Sequence, residues 1–188
     1  MKINKRILIV DDNTAIHEDF RKILNPSARS RNAVEATLND LESKIFTDDD
    51  EVSLERFSLD YELDYATQGR DAFAKVIAAE EAGDPYGVIF SDVRMPPGID
   101  GVLLAQEIWK LLPLTQIVIV SAFSDYSWEE IVQKLGLNDR LVVLRKPFDS
   151  ITIKQLALAF SKKWTLEYEA ELARRRQKED AANKRVKH

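Results

Sequence analysis

Hydrophobic and polar positions along this chain alternate between short apolar runs and longer stretches with helical spacing. Ile7-Leu8-Ile9-Val10 stops on Asp11-Asp12, Val88-Ile89-Phe90 on Ser91-Asp92, Ile117-Val118-Ile119-Val120 on Ser121, and Leu141 to Leu144 on Arg145-Lys146-Pro147. Each run reads as a strand buried on both faces, because it is too short for a helix and ends on polar residues. Between them, Ile16, Phe20 and Ile23 recur at i, i+4 and i+7 before Asn25-Pro26 stops the pattern. A second helix is expected from Arg70 to Ala82, with Phe73, Val76 and Ile77 inward and Gly83-Asp84-Pro85 breaking it. A third begins after Asp100, places Leu104, Ile108, Leu111 and Leu112 on one side, and ends at Pro113. A fourth opens with the capping-box spacing Ser127-Trp128-Glu129-Glu130, buries Ile131, Val132 and Leu135, and ends on Gly136; a fifth starts near Asp149. Strands that alternate with helices in this way build βαβ units and a parallel sheet.

One strand differs from the others. From Phe57 to Tyr65 apolar residues alternate strictly with Ser58, Asp60, Glu62 and Asp64, which gives one wet face and places this second strand at an edge of the sheet. His17 follows the first strand's acids by one helical turn. It lies about 100° from the expected buried face of Ile16, Phe20 and Ile23, so a solvated rim position is expected.

The chemistry lies where the strands stop. Asp11, Asp12, Asp92, Ser121 and Lys146 all fall at the carboxyl edge of one parallel sheet, where open α/β sheets place their sites. Carboxylates that converge repel one another unless a cation sits among them, and an oxygen-only set suits magnesium with a phosphate oxygen. A magnesium-dependent phosphoryl-acceptor site follows from these residue types in this pattern.

Two segments stand outside the five-fold alternation. The stretch from Pro26 to Arg56 is far longer than an ordinary connection; Val34, Leu38, Leu41 and Ile45 within it follow helical spacing, and Thr47-Asp48-Asp49-Asp50-Glu51 reads as an acidic loop. At the other end Leu156, Phe160, Trp164, Tyr168 and Leu172 recur every four residues, so the fifth helix runs past the sheet. Left uncovered, Trp164, Tyr168 and Leu172 would form an apolar patch of the kind that marks an interface. This divides the chain into residues 1–160, with an insertion at about 26–56, and an extended helix or linker tail over residues 161–188.

Composition narrows the function further. The 188 residues contain no cysteine and two histidines, His17 and His188, which excludes disulfides and thiolate metal sites and disfavours structural zinc. No apolar stretch is long enough to cross a membrane, so a cytoplasmic protein is expected. Net charge is −5; residues 161–188 hold nine Lys and Arg against five Asp and Glu, net +4, leaving −9 on the first 160 residues. The acidic body fits a site built of carboxylates. Arg174-Arg175-Arg176 reads as a solvated helix end rather than a nucleic-acid contact.

The order Asp-Asp, Asp, Ser, Lys-Pro at the ends of strands 1, 3, 4 and 5 resembles the receiver domain of two-component response regulators, over about Lys5 to Phe160. The resemblance implies a flavodoxin-like, doubly wound α/β fold with five parallel strands in the order 2-1-3-4-5, here with a helix inserted between helix 1 and strand 2. It implies that a sensor histidine kinase or phosphotransfer protein donates a phosphoryl group to Asp92, the matching acceptor. Asp92 is followed by Val93-Arg94-Met95-Pro96 and by Gly98-Ile99-Asp100-Gly101, as in the family's aspartate loop. Asp12 matches the direct magnesium ligand, Asp11 acts largely through water, and the backbone carbonyl of Arg94 falls on the third protein ligand. Ser121 and Lys146 match the hydroxyl and ammonium that bind phosphoryl oxygens, and the family's peptide before Pro147 is cis. Arg94 and Phe123 fall on the positions that flank the path of a hydrolytic water. Phe123 excludes water and Arg94 can pair with phosphoryl oxygens, so a long-lived phosphorylated state is expected.

Three departures mark this chain. Val143 occupies the position, three before Lys146, where receivers that switch by a swinging ring carry an aromatic. The acceptor loop has an additional proline in Met95-Pro96-Pro97-Gly98, and the insertion ahead of strand 2 resembles that of receivers placed before a helical linker and an output module. Helix 5 is accordingly expected to mediate a homodimer or to connect to an output domain or partner protein. Two other functions compete. A phosphatase of the haloacid-dehalogenase type also combines Asp, Ser and Lys, but its second Asp follows the nucleophile by two, where this chain has Arg94, and its acidic pair comes late. A pseudo-receiver, a binding module without phosphorylation, conflicts with the presence of all five site groups. The expected protein is a phosphoacceptor and not an enzyme acting on a separate substrate.

Overall fold

The computed structural model describes residues 2–25, 60–122 and 125–186. The expected inserted helix and acidic loop, and Phe123, lie outside the described residues. Five parallel strands form one sheet in the order β2-β1-β3-β4-β5. They are β1 (Arg6–Val10), β2 (Glu62–Ala66), β3 (Val88–Asp92), β4 (Gln116–Ser121) and β5 (Leu141–Arg145); the helices between and after them are α1 (Thr14–Leu24), α2 (Gly69–Glu81), α3 (Gly101–Leu111), α4 (Trp128–Leu135) and α5 (Ser150–Val186).

The near-continuous apolar runs are explained by burial on both faces. Leu8, Val10, Ile89, Ile117 and Ile119 pack with Ala72, Val76, Leu104, Ala105, Ile108 and Ile131 from α2, α3 and α4. Their strand neighbours Ile7, Ile9, Val88, Phe90, Val118 and Val120 pack with Phe20, Leu24, Ile153, Ala157 and Phe160 from α1 and α5. The two-residue period of a strand thus feeds two helical layers. Register levels the strand ends: Val10 faces Ser91, Asp92 faces Val120, and Ser121 faces Arg145.

Strand β2 occupies the expected edge but is shorter than the alternation suggested. Its ladder starts at Glu62, whose N–H donates to Lys5 O, and ends at Ala66. The reason is its partner: β1 offers only Arg6 to Val10 for pairing. Tyr61, just ahead of the ladder, is buried nonetheless, and Asn25 holds it by accepting its N–H and donating to its carbonyl.

Helical faces are rotated from those expected. On α1 the buried residues are His17, Phe20 and Leu24, with Ile16 and Ile23 at the margin. His17 is therefore not a solvated rim residue. Its ring lies 5.0 Å from that of Tyr65 on the edge strand, which supplies a surface for it, and its Nε2 has no hydrogen-bond partner among the described residues. On α2 the small residues Ala72 and Ala79 join Val76 in the core, while Phe73 and Ile77 are half-buried. On α3 Leu111 is 59% exposed, while its neighbours Trp109 and Leu112 pack against the core in its place. The α4 capping box forms as expected, but only Ile131 of that helix is fully buried; Val132 and Leu135 are half-buried.

Helix α5 spans 37 residues and does outrun the sheet, yet its apolar stripe does not stand clear. Trp164 is 5% exposed, and its indole lies so close to Gly87 that a Cβ there would meet the ring at 3.3 Å. Trp164 also stacks on Tyr168, centroids 4.5 Å apart, and the two rings with Pro85, Tyr86, Leu112 and Leu114 line a cavity of about 70 Å³ at the amino edge of the sheet. Polar contacts pin the same stretch: Thr165 Oγ1 accepts the Asn4 N–H at 2.9 Å, and Arg140 donates to Glu167 at 2.9 Å. The expected patch is largely consumed by the chain's own loops before β3 and β4.

Trp164 is thus a core residue. Trp164→Ala should cost about 3–5 kcal/mol in urea unfolding, the range for a buried aromatic. A loss under about 1 kcal/mol, the ordinary effect of an exposed position, would mean that α5 is not docked beyond Phe160.

Candidate functional site

The carboxyl edge is assembled by loops that their own backbone holds in place. Asp11 leaves β1 with its N–H donated to Ala66 O of β2, and its Oδ1 accepts the N–H of Asn13, the N-cap of α1. Asp11 is 2% exposed, whereas Asp12 faces solvent. Asp92 is the last residue of β3 and is 9% exposed. Gly101, at the start of α3, must be glycine here: a Cβ would lie 2.2 Å from the Asp92 carbonyl oxygen. Asp100 caps that helix by accepting the Leu103 N–H, and its other oxygen accepts the Tyr126 hydroxyl at 2.9 Å, joining the loop after β3 to the loop after β4.

Lys146 closes the arrangement. Its N–H donates to Ser121 O, the Lys146–Pro147 peptide is cis as expected, and a second cis peptide joins Pro96 to Pro97. The Lys146 ammonium donates to Asp11 Oδ2 at 2.9 Å and to Asp92 Oδ1 at 2.8 Å. Burial pushes the Asp92 carboxyl above its ordinary value and Asp11 adds to the rise, while Lys146 pulls against both. Burial disfavours the charge of Lys146, but its bonds to Asp92 and Asp11 outweigh that and hold the ammonium above its ordinary value. On balance the site favours the charged form of Lys146 and disfavours that of Asp92, whose burial outweighs the pull of the ammonium.

Carboxylate oxygens of Asp11, Asp12 and Asp92 lie within 4.8 Å of one another. With no nitrogen or sulfur donor in the set, these residues fit a hard divalent cation such as magnesium and not zinc.

Ser121 ends β4 beside β3, with its Oγ donating toward Ala122 O at 2.9 Å and Asp125 Oδ2 at 3.3 Å. Arg145 donates to that same Oγ at 3.2 Å, to Ala122 O at 2.9 Å and to Tyr126 O at 3.0 Å. Arg94 keeps its side chain 67% exposed and pairs through Nε with Asp125 Oδ1 at 2.6 Å. Val143 is half-buried and packs on the core layer that also receives Tyr126 and Leu135. Asp125 and Arg145 are the residues that sequence reasoning missed. An acid four positions past a strand reads as an ordinary loop residue, and the arginine before Lys146 as the end of a strand.

The model of the response regulator receiver domain matches residues 45–157. The chain belongs to that family. The matched span covers Asp92, Ser121 and Lys146; Asp11 and Asp12 precede it and reach the same edge through β1. The receiver is 33% identical over 99 residues, 52% of its length, to the osmosensing histidine protein kinase SLN1 of Saccharomyces cerevisiae, and covers 8% of that protein. Among solved structures it is similar to the CheY-like receiver domain of Methanospirillum hungatei JF-1, at 19% identity and a TM-score of 0.57 over 87% of this chain and 98% of that one. The receiver domain of the response regulator NarL from Mycobacterium tuberculosis gives 18% identity and a TM-score of 0.55 over 86% and 98%. These two likenesses concern the fold. No helix among the described residues is long and apolar enough to cross a membrane.

Two substitutions test how the receiver's edge is held. Lys146→Met should leave Asp11 and Asp92 opposed without a cation and lower stability in metal-free buffer by about 2–3 kcal/mol, somewhat under the loss for a fully buried pair. Magnesium should recover part of that loss in the same urea titration; an unchanged midpoint in metal-free buffer would contradict the bridging role. Gly101→Ala should cost about 1–3 kcal/mol by overpacking against the Asp92 carbonyl and weaken magnesium binding in calorimetry. Wild-type values for both would show that the loop yields freely.

Proposed function

We propose that this receiver takes a phosphoryl group from a sensor histidine kinase or phosphotransfer protein onto Asp92. The observation that carries the reading is the Lys146 ammonium shared by Asp11 and Asp92, at an edge where three carboxylates approach within 4.8 Å. Asp11, Asp12, Asp92 and the Arg94 backbone carbonyl would hold magnesium. Bound there, magnesium offsets the negative charge that collects on the carboxylates and phosphoryl oxygens.

In the transfer, an Asp92 carboxylate oxygen forms a bond to phosphorus as the bond from phosphorus to the donor's imidazole nitrogen breaks, leaving an acyl phosphate on Asp92 and neutral imidazole on the donor once a proton is taken up. Asp92 needs no deprotonation to act; it needs its charge relieved and the phosphorus held in line. Lys146 is a fixed cation for the charge on the transferring group, and the Ser121 hydroxyl donates to one of its oxygens. By the family pattern Arg94 and Phe123 fall on the positions that flank the path of a hydrolytic water, and a long-lived phosphorylated state is expected. With Val143 in place of a ring, the readout does not pass through a swinging aromatic at that position.

The receiver acts by changing what it binds, on an output domain or a partner protein in the cytoplasm, and turns over no separate substrate. A homodimer through α5 has less to draw on than its sequence suggests, since Trp164 is buried within the chain. A haloacid-dehalogenase-type phosphatase is not favoured by any feature of the site, as Arg94 stands where that chemistry needs an acid.

Incubation with magnesium and acetyl phosphate, followed by intact-mass and peptide analysis, should find one phosphoryl group on Asp92. Asp92→Asn should abolish it with the thermal unfolding curve retained, and Asp12→Ala should abolish magnesium binding in calorimetry. Modification of the Asp92→Asn protein at the wild-type rate would sink the assignment.

A further inference from the structure

We infer that Asp125 is a tethered stand-in for the phosphoryl group, holding Ser121, Ala122 and Arg94 until the modified Asp92 displaces it. The inference rests on Asp92 being the acceptor. Asp125 lies in the loop between β4 and α4, where a carboxylate ordinarily faces water, yet its side chain is 5% exposed. Three donors account for that burial. Oδ2 accepts the Ala122 N–H at 2.7 Å and the Ser121 hydroxyl at 3.3 Å, and Oδ1 accepts Arg94 Nε at 2.6 Å.

These donors come from two loops that flank the acceptor. Arg94 follows Asp92 by two residues, and Ser121 follows Val120, the residue that faces Asp92 across the β3–β4 ladder. An oxyanion built on Asp92 therefore arises between groups already committed to another oxyanion. Ser121 has one proton to give. Arg145 donates to its Oγ and to the carbonyls of Ala122 and Tyr126, so the hydroxyl accepts from Arg145 and directs its proton to Ala122 O or Asp125. It can serve a phosphoryl oxygen only by leaving both. Arg94 faces the same choice between anions, and its exposed stem allows it to turn.

Asp125 is on this account a positioning residue, acting through Ser121 and Arg94 without touching the transferred group. It opposes the phosphorylated state. That sign separates it from a residue that only shapes the turn, whose loss would loosen the loop and weaken every ligand at the site.

Beryllium fluoride with magnesium is the probe, titrated calorimetrically and by fluorine NMR into the full chain. Asp125→Asn keeps the side chain's shape and an oxygen for the Ala122 N–H while removing the charge. It should bind roughly twofold to fivefold more tightly than wild type, the gain from releasing an ion pair with one exposed partner, and its acetyl-phosphate-loaded form should lose phosphate more slowly. Asp125→Ser serves the same comparison if the amide variant does not fold. Equal or weaker binding by the folded variant overturns the inference. Arg94→Met should weaken binding more in the Asp125→Asn background than in wild type, because there the guanidinium is committed to the anion; an equal effect in both overturns the exchange. If the wild type neither binds beryllium fluoride nor gains phosphate at Asp92, the acceptor reading itself has failed.

Discussion

A single ammonium group, that of Lys146, sits between two buried carboxylates that could not otherwise face each other. Asp11 comes from the first strand, Asp92 from the third and Lys146 from the end of the fifth, so the contact closes the carboxyl edge across the width of the sheet. In a half-buried setting, two carboxylates without a cation would raise each other's proton affinity and drive the loops apart. The remaining features of the edge are arranged around that constraint. Gly101 permits α3 to start against the Asp92 carbonyl, and the Lys146 N–H anchors to the end of β4.

The same constraint bears on the proposed phosphoryl transfer. A phosphoryl group adds charge to the most crowded point of the molecule, and the edge already contains the means to receive it: an ammonium with more than one carboxylate to choose from, a divalent-cation set of oxygens, and a second anion, Asp125, tied to the neighbouring donors. Exchange of one oxyanion for another needs no new cavity. It needs Ser121 and Arg94 to change partners, and the loop after β4 to follow.

Opposite the site, the amino edge is closed by α5. Trp164 against Gly87 and the Asn4 N–H on Thr165 join the helix to the chain's first residues and to the loops before β3 and β4. The long helix is therefore continuous with the core through Thr165.

Much of this was legible in one dimension. The strand order of polar stops, Asp11-Asp12, Asp92, Ser121 and Lys146, places five groups at one edge because parallel strands joined by right-handed crossovers end on the same side. The capping box and the stop of α4 were equally local: Ser127 accepts the Glu130 N–H of the helix it precedes, and Gly136 ends that helix with positive φ, whereas the caps Asn13 and Asp100 were seen only in the structure. Side-chain periodicity settled which elements are amphipathic but not their rotation. A shift of one residue on α1 buried His17 in place of Ile16, because Tyr65 of a strand distant in sequence supplied the surface for it. Trp164 likewise became core only because the loops before β3 and β4 rise to meet it. Asp125 shows the limit most clearly, since nothing in its neighbours distinguishes a loop acid from a buried one. Its role depends on Arg94, thirty-one positions earlier, being brought beside it by the pairing of β3 with β4. The amino-acid order determined which groups reach the edge, since that follows from local runs and their direction; which groups hold one another there was decided by tertiary packing, where distance in sequence ceases to matter.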